Sequence, residues 1–133
     1  MFINKTENLN ILIAGGRDYC NYKKLEEFVD KIIKDMNHEY ETITIISGMA
    51  QGADMLGVRY SIEHKYALLK FPAEWNIYGK RAGFIRNKQM LDYLAASQDN
   101  GMVIAFWDGK SSGTKHTIYT SREMKIPCFV CPY

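Results

Sequence analysis

Long apolar runs are missing from this chain. No stretch approaches the roughly 20 residues a membrane-spanning helix needs, so no spanning helix is expected and the composition reads as that of a soluble globular protein. The opening MFINKTENLN has one lysine and no apolar core, so it does not read as a secretory signal. Cysteine is scarce and odd in number, three in 133 residues, which argues against a disulfide framework and for a reducing, cytoplasmic setting. An excess of either charge is also lacking. With 17 basic and 15 acidic side chains the net charge is only +2, so bulk electrostatics does not point to nucleic acid, although a local basic patch keeps that reading open.

Metal ligands are sparse too. Cys128 and Cys131 form C-x-x-C in IPCFVCPY, but residues three apart on a strand point to opposite faces and do not readily share an ion. Only Cys20 remains as a third thiol, so buried, unmodified cysteines are expected. His38, His64 and His116 have no ligand spacing with one another, and the sequence reveals no Cys/His/carboxylate cluster. Neither metal nor cofactor is therefore expected.

What is present is a regular alternation. Five β-branched apolar runs recur, at 9–14, 42–47, 67–71, 102–107 and 127–131. They are nearly continuous rather than alternating, as in strands covered on both faces. Between them lie helical patterns. Leu25, Phe28, Val29, Ile32, Ile33 and Met36 make one stripe, with Asn21 as its N-cap. Ala53, Leu56, Gly57 and Tyr60 form a weaker second stripe, and Phe84, Ile85, Leu91, Leu94 and Ala95 a third. A short polar helix spans about Gly113 to Met124, ahead of Pro127. The pattern predicts one α/β domain over 1–133, a Rossmann-like three-layer sandwich. Its five-stranded parallel sheet should have order 3-2-1-4-5 and helices on both faces.

Such a sheet binds ligands beyond the carboxyl ends of its strands, where the strand order reverses. The loops there are AGGRDY, 14–19, and WDGKSSGTK, 107–115, with ISGMAQGAD beside the first. Glycines followed directly by a helix start present backbone N–H groups and a positive helix end to an anion. The candidate binding residues are Gly15, Gly16, Arg17 and Asp18 in the first loop and Gly48, Met49, Gln51, Gly52 and Asp54 in the second. Ser112, Gly113 and Thr114 come from the fourth helix. The long connection FPAEWNIYGKRAGFIRNKQM adds Trp75 and Tyr78 as faces for stacking a base, and Arg86 with Asn87 in early turns of the third helix. Ordinary turn, capping and packing roles compete with each of these assignments. The spacing G-x-x-x-x-G-K-[ST] is absent, so ATP hydrolysis of the P-loop kind has no support. Glu74 and Asp108 are the carboxylates expected nearest a ligand.

These motifs, in this order, resemble the SLOG superfamily, the Rossmann-like group that includes the DprA/SMF family and the Lonely Guy phosphoribohydrolases, and most closely its YspA-like branch. ISGMAQGADMLGVRY resembles the S-G-x-A-x-G-x-D signature. FPAEWNIYGKRAGFIRNKQM resembles the branch's P-A-x-W…G-K-x-A-G…R-N-x-x-M segment, and IAGGRDY and AFWDGKSSGT resemble its first- and fourth-strand motifs. The resemblance implies a pocket for nucleotides or their derivatives in which Gly48, Gly52, Gly113 and Thr114 contact phosphate. Arg86 falls where the phosphoribohydrolases carry an arginine. Their P-G-G-x-G-T-x-x-E motif ends in a catalytic glutamate, and Thr117 stands at that place here. Phosphoribohydrolase chemistry thus lacks its usual carboxylate, and no residue is assigned as catalytic.

The expected function is binding of a nucleotide-derived signal molecule, ADP-ribose-like or a cyclic nucleotide, by a sensor or sequestering protein. Two alternatives stay open. One is a hydrolase acting on an N-glycosidic or phosphodiester bond through other carboxylates. The other is DprA-like binding of single-stranded nucleic acid, disfavoured by the balanced charge. The expected partner is the small molecule, with self-association into a homo-oligomer left open.

Overall fold

A computed structural model of the chain describes residues 7–36 and 38–133. The amino-terminal stretch read above for a leader lies, over residues 1–6, outside them. Five strands form one sheet: β1 (Asn8–Gly15), β2 (Thr42–Ser47), β3 (Ala67–Lys70), β4 (Asn100–Trp107) and β5 (Cys128–Pro132). All pairings are parallel and the order is β3-β2-β1-β4-β5, as the alternation predicts. The helices are α1 (Tyr22–Asp35), α2 (Ala53–Glu63), α3 (Trp75–Tyr78), α4 (Ala82–Ala96) and α5 (Ser112–Glu123).

The period-2 geometry of β1 divides the core. Leu9, Ile11 and Ile13 point to one face, where they meet Leu25 and Val29 of α1 and Ala53 and Tyr60 of α2. Leu12 points to the other face, with Met90, Leu91 and Leu94 of α4 and Ile118 of α5. Every side chain from Leu9 to Ala14 is buried, so the run is continuous because both faces are covered. Burying one leucine here is worth roughly 2 kcal/mol. Asn21 caps α1 as expected, its side-chain oxygen accepting the Lys24 amide at 3.1 Å. Cys131 packs in the first cluster and Cys128 against the second, opposite faces of β5, and all three cysteines are free.

The third predicted stripe is corrected. In α4 the buried positions are Ala82, Arg86, Asn87, Met90, Leu91 and Leu94, whereas Phe84 and Ala95 are exposed and Ile85 is intermediate. The inward face was displaced because its first turns carry polar Arg86 and Asn87, which an apolar count leaves out. The long connection is also partly ordered into secondary structure. α3 passes through a 3-10 turn at Gly79–Arg81 directly into α4, with Gly79 at φ +60. Among the described residues no helix is long and apolar enough to cross a membrane.

Candidate functional site

Parallel strands deliver all their carboxyl-end loops to one edge of the sheet. At the reversal between β1 and β4 these loops enclose a cleft of about 480 Å³. A recess of about 390 Å³ adjoins it, and Arg17, Ala50, Trp75 and Arg86 line both.

The second glycine loop is folded around a buried carboxylate. The Ser47 hydroxyl accepts the Met49 amide at 3.1 Å and donates to the Asp54 carbonyl at 3.2 Å. The Ala50 amide donates to Asp54 Oδ2 at 3.2 Å. Asp54 is only 6% exposed, and burial pushes its carboxyl from an ordinary 3.8 up to about 6. The Ala50 N–H and the charges of Arg86 and Arg17 hold it from rising further. Gly52 is required on two counts. Its φ is +81, and a Cβ there would run into the Gly16 carbonyl and the Arg17 backbone. This close approach lets the Ala53 amide donate to the Gly16 carbonyl at 3.2 Å, stitching the second loop to the first.

Arg86 is the centre of the site. It is 7% exposed, and burial lowers its pKa from the usual arginine value. Its Nη1 donates to the Gly48 carbonyl and its Nε to Asn87 Oδ1 at 2.8 Å. Asn87 in turn donates to the Gly113 carbonyl at 3.5 Å, which also accepts the Thr117 hydroxyl at 3.3 Å. A continuous polar chain thus joins the second loop, α4 and the start of α5. A Cβ on Gly48 would lie 2.8–2.9 Å from the guanidinium, so glycine there lets the planar group lie flat against the backbone. Among the described residues Nη2 has no protein acceptor, which leaves donors available at the cleft.

The fourth loop is equally organised. Asp108 Oδ1 accepts the amides of Ser111 and Lys110, each at 2.8 Å, and these bonds hold its carboxyl below the usual range. The Trp107 indole donates to the Ser111 carbonyl at 3.0 Å. The first α5 amide with a backbone partner is that of Lys115, to Ser111 at 3.1 Å. The amides of Ser112, Gly113 and Thr114 therefore have no protein acceptor among the described residues, and all three residues line the cleft.

Of the remaining expectations, Gly15, Gly16 and Asp18 line the cleft, while Gly48, Met49 and Gln51 line the adjoining recess. Gly52 lines neither and serves to join loops. Tyr78 lines neither, lying 41% exposed in α3. Trp75 is 50% exposed and lines both spaces. Its Cη2 is 3.6 Å from where a Gly83 Cβ would sit, an ordinary van der Waals distance, so the indole lies against the first turn of α4. Asp18 is engaged at 2.6 Å by the hydroxyl of Tyr133. Arg17 has no carboxylate within ion-pair distance among the described residues. Asp108 lines the cleft, as does Thr117 at the place matched to the phosphoribohydrolases' glutamate, but Glu74 lines neither space. Ala50, Pro72, Ala73, Gly83 and Phe84 were not anticipated. The small ones carry no chemical signal, and Phe84 was assigned to the core. One expectation is overturned: Glu26 and Asp30 of α1 and His64 at the end of α2 do form a carboxylate–histidine cluster.

The cleft contains Arg17, Lys80 and Arg86 against Asp18, Asp54 and Asp108. Its formal charge is nearly balanced, so net potential alone would not draw an anion into it. A cleft built from glycine loops and a helix start at the switch point defines an open, doubly wound α/β fold. The chain belongs to the YspA, cpYpsA-related SLOG family, whose model matches residues 9–78. That match covers β1 to α3, hence both early loops and Trp75, while Arg86 and α5 lie beyond it. The chain is also similar to the Gene 61 protein of Mycobacterium phage D29, at 26% identity over 122 residues, which cover 88% of this chain and 91% of that protein.

Proposed function

We propose that the cleft binds a nucleotide-derived small molecule carrying phosphate, as a sensor or sequestering protein. The observation that carries this reading is the convergence of two kinds of anion donor. Arg86 is pre-positioned by Gly48 and Asn87, and the unpartnered amides of Ser112, Gly113 and Thr114 open α5. The half-exposed Trp75 supplies an aromatic face on the shared wall for a base. Membership of the SLOG family agrees with a nucleotide-like ligand.

Thermal-shift screening against ADP-ribose, nucleoside monophosphates and cyclic nucleotides tests the proposal. At least one is expected to stabilise the protein, with the shift abolished in Arg86→Ala and diminished in Arg86→Lys, which keeps charge but loses the fork. No response across the panel would refute it.

A second reading, hydrolysis of an N-glycosidic or phosphodiester bond, draws on Asp54 and Asp108. These cleft carboxylates are pushed in opposite directions, a pattern that suits an acid and a base. Thr117 cannot replace the family's glutamate, because a hydroxyl is neither a carboxylate base nor an anionic stabiliser at neutral pH. Chromatography of each ligand after incubation separates the readings: intact ligand supports sequestration, and released base or opened phosphodiester supports the enzyme.

A further inference from the structure

We propose that Glu26, Asp30 and His64 form a binding site for one divalent transition metal ion of the zinc type, clamping α1 to α2. Their ligand atoms all lie within 4.8 Å of one another. Glu26 and Asp30 are four residues apart in α1 and so share a helix face. His64 closes α2, and its Nε2 stands 2.8 Å from Glu26 Oε2. Three donors bound tetrahedrally at about 2.1 Å would be about 3.4 Å apart. The His64–Glu26 contact is shorter than that and no pair exceeds 4.8 Å, so entry of the ion requires a sub-ångström opening of that contact.

The surroundings already orient these groups as outer ligands do in metal sites. The buried Tyr60 donates its hydroxyl to Asp30 Oδ1 at 2.5 Å, leaving the second carboxylate oxygen for the metal. The His64 ring stacks on Tyr60 at 4.1 Å between centroids and lies 5.6 Å from Tyr66, so its position is held by packing. The neighbouring Arg59 is engaged by Glu63 at 2.7 Å and covers the Tyr22 ring at 3.9 Å. One imidazole and two carboxylates suit zinc, cobalt or manganese better than magnesium, which favours oxygen donors and retained water. Asp30 is exposed and Glu26 and His64 are half-buried, so the cluster is open to solvent.

This site is separate from the cleft. α2 begins at the cleft and runs eleven residues before His64, a distance of roughly 16 Å along its axis. Its occupation should act on stability rather than on nucleotide contacts.

The full chain, tag-free and stripped with chelator, is titrated with Zn²⁺, Co²⁺ and Mg²⁺ by calorimetry and thermal unfolding. One equivalent of Zn²⁺ is expected to bind and raise Tm by about 5 °C or more at a hundredfold excess over Kd. Mg²⁺ should have little effect. Co²⁺ should give visible ligand-field bands without the near-ultraviolet thiolate band that binding at Cys20, Cys128 or Cys131 would produce. Glu26→Gln and His64→Ala should each weaken Zn²⁺ binding at least tenfold. Glu26→Gln decides alone if removal of the stacked imidazole impairs folding. Absence of a Zn²⁺ shift, a thiolate spectrum, or unchanged affinity in Glu26→Gln would overturn the proposal.

Discussion

Asp54 provides a sharp test of how the cleft is built. Its folded-state pKa of about 6 lies above the ordinary 3.8 because burial outweighs the Ala50 N–H and the two arginines. A carboxyl raised in this way binds its proton more tightly when folded than unfolded. Stability must therefore fall as pH rises through the interval from about 4 to about 6, and remain lower above it. A displacement of about 2 pH units corresponds to at most about 3 kcal/mol. The measurement is urea unfolding from pH 4 to pH 8 of the wild type and Asp54→Asn. Asparagine keeps the size and the acceptor for Ala50 but cannot ionise. Taking the difference cancels groups that respond oppositely, such as Glu63 and Asp108, whose pKa values are lowered. The stability of Asp54→Asn relative to wild type should rise by up to about 3 kcal/mol across the window, or about 10 °C in Tm for a chain of this size. A difference that stays flat from pH 4 to pH 8 would refute the reasoning. The carboxylate would then be solvated well enough to ionise in place.

Three further substitutions probe the loops. Gly52→Ala puts a side chain at φ +81 against the Gly16 carbonyl, and should cost about 2–4 kcal/mol in denaturant unfolding. Gly48→Ala should cost only about 1 kcal/mol, since the guanidinium can shift. The same variant should lose most of any phosphate-dependent thermal shift, because its Cβ would lie 2.8–2.9 Å from Arg86. Trp75→Ala should change stability by less than about 1 kcal/mol, given its 50% exposure. It should still weaken a base-bearing ligand more than inorganic phosphate, as read by competition calorimetry.

The sheet was legible because its physics is local. Runs such as Ile11–Ala14 and Met102–Trp107 are apolar at successive positions, and only strands covered on both faces use such runs economically. Their alternation with helical stripes then leaves few topologies, among them the observed order β3-β2-β1-β4-β5. α4 was harder because its inward face combines Met90, Leu91 and Leu94 with Arg86 and Asn87. Hydrophobic periodicity identifies the half of that face that packs on the sheet. It misplaces the half facing the cleft, where the polar residues stand in register with the apolar ones.

The same limit explains which parts of the cleft could be anticipated. Glycine before a helix start and an arginine beside Gly15-Gly16 announce themselves, because few residue types satisfy those positions. Ala50 and Gly83 do not. Their contributions are an amide offered to Asp54 and a stretch of backbone on the cleft wall, neither of which depends on a distinctive side chain. Nor can spacing reveal that Gly48 is small for the sake of a guanidinium 38 positions later. A glycine in a loop has several explanations until its neighbour in space is known. Here that neighbour is a buried cation, and removing either member should disturb the other. This coupling predicts that Gly48→Ala and Arg86→Ala will be non-additive in a double-mutant cycle, each losing part of its effect in the other's presence. Additive losses in ligand-induced stabilisation would mean that the glycine and the arginine act independently, and that the arginine is positioned by Asn87 alone.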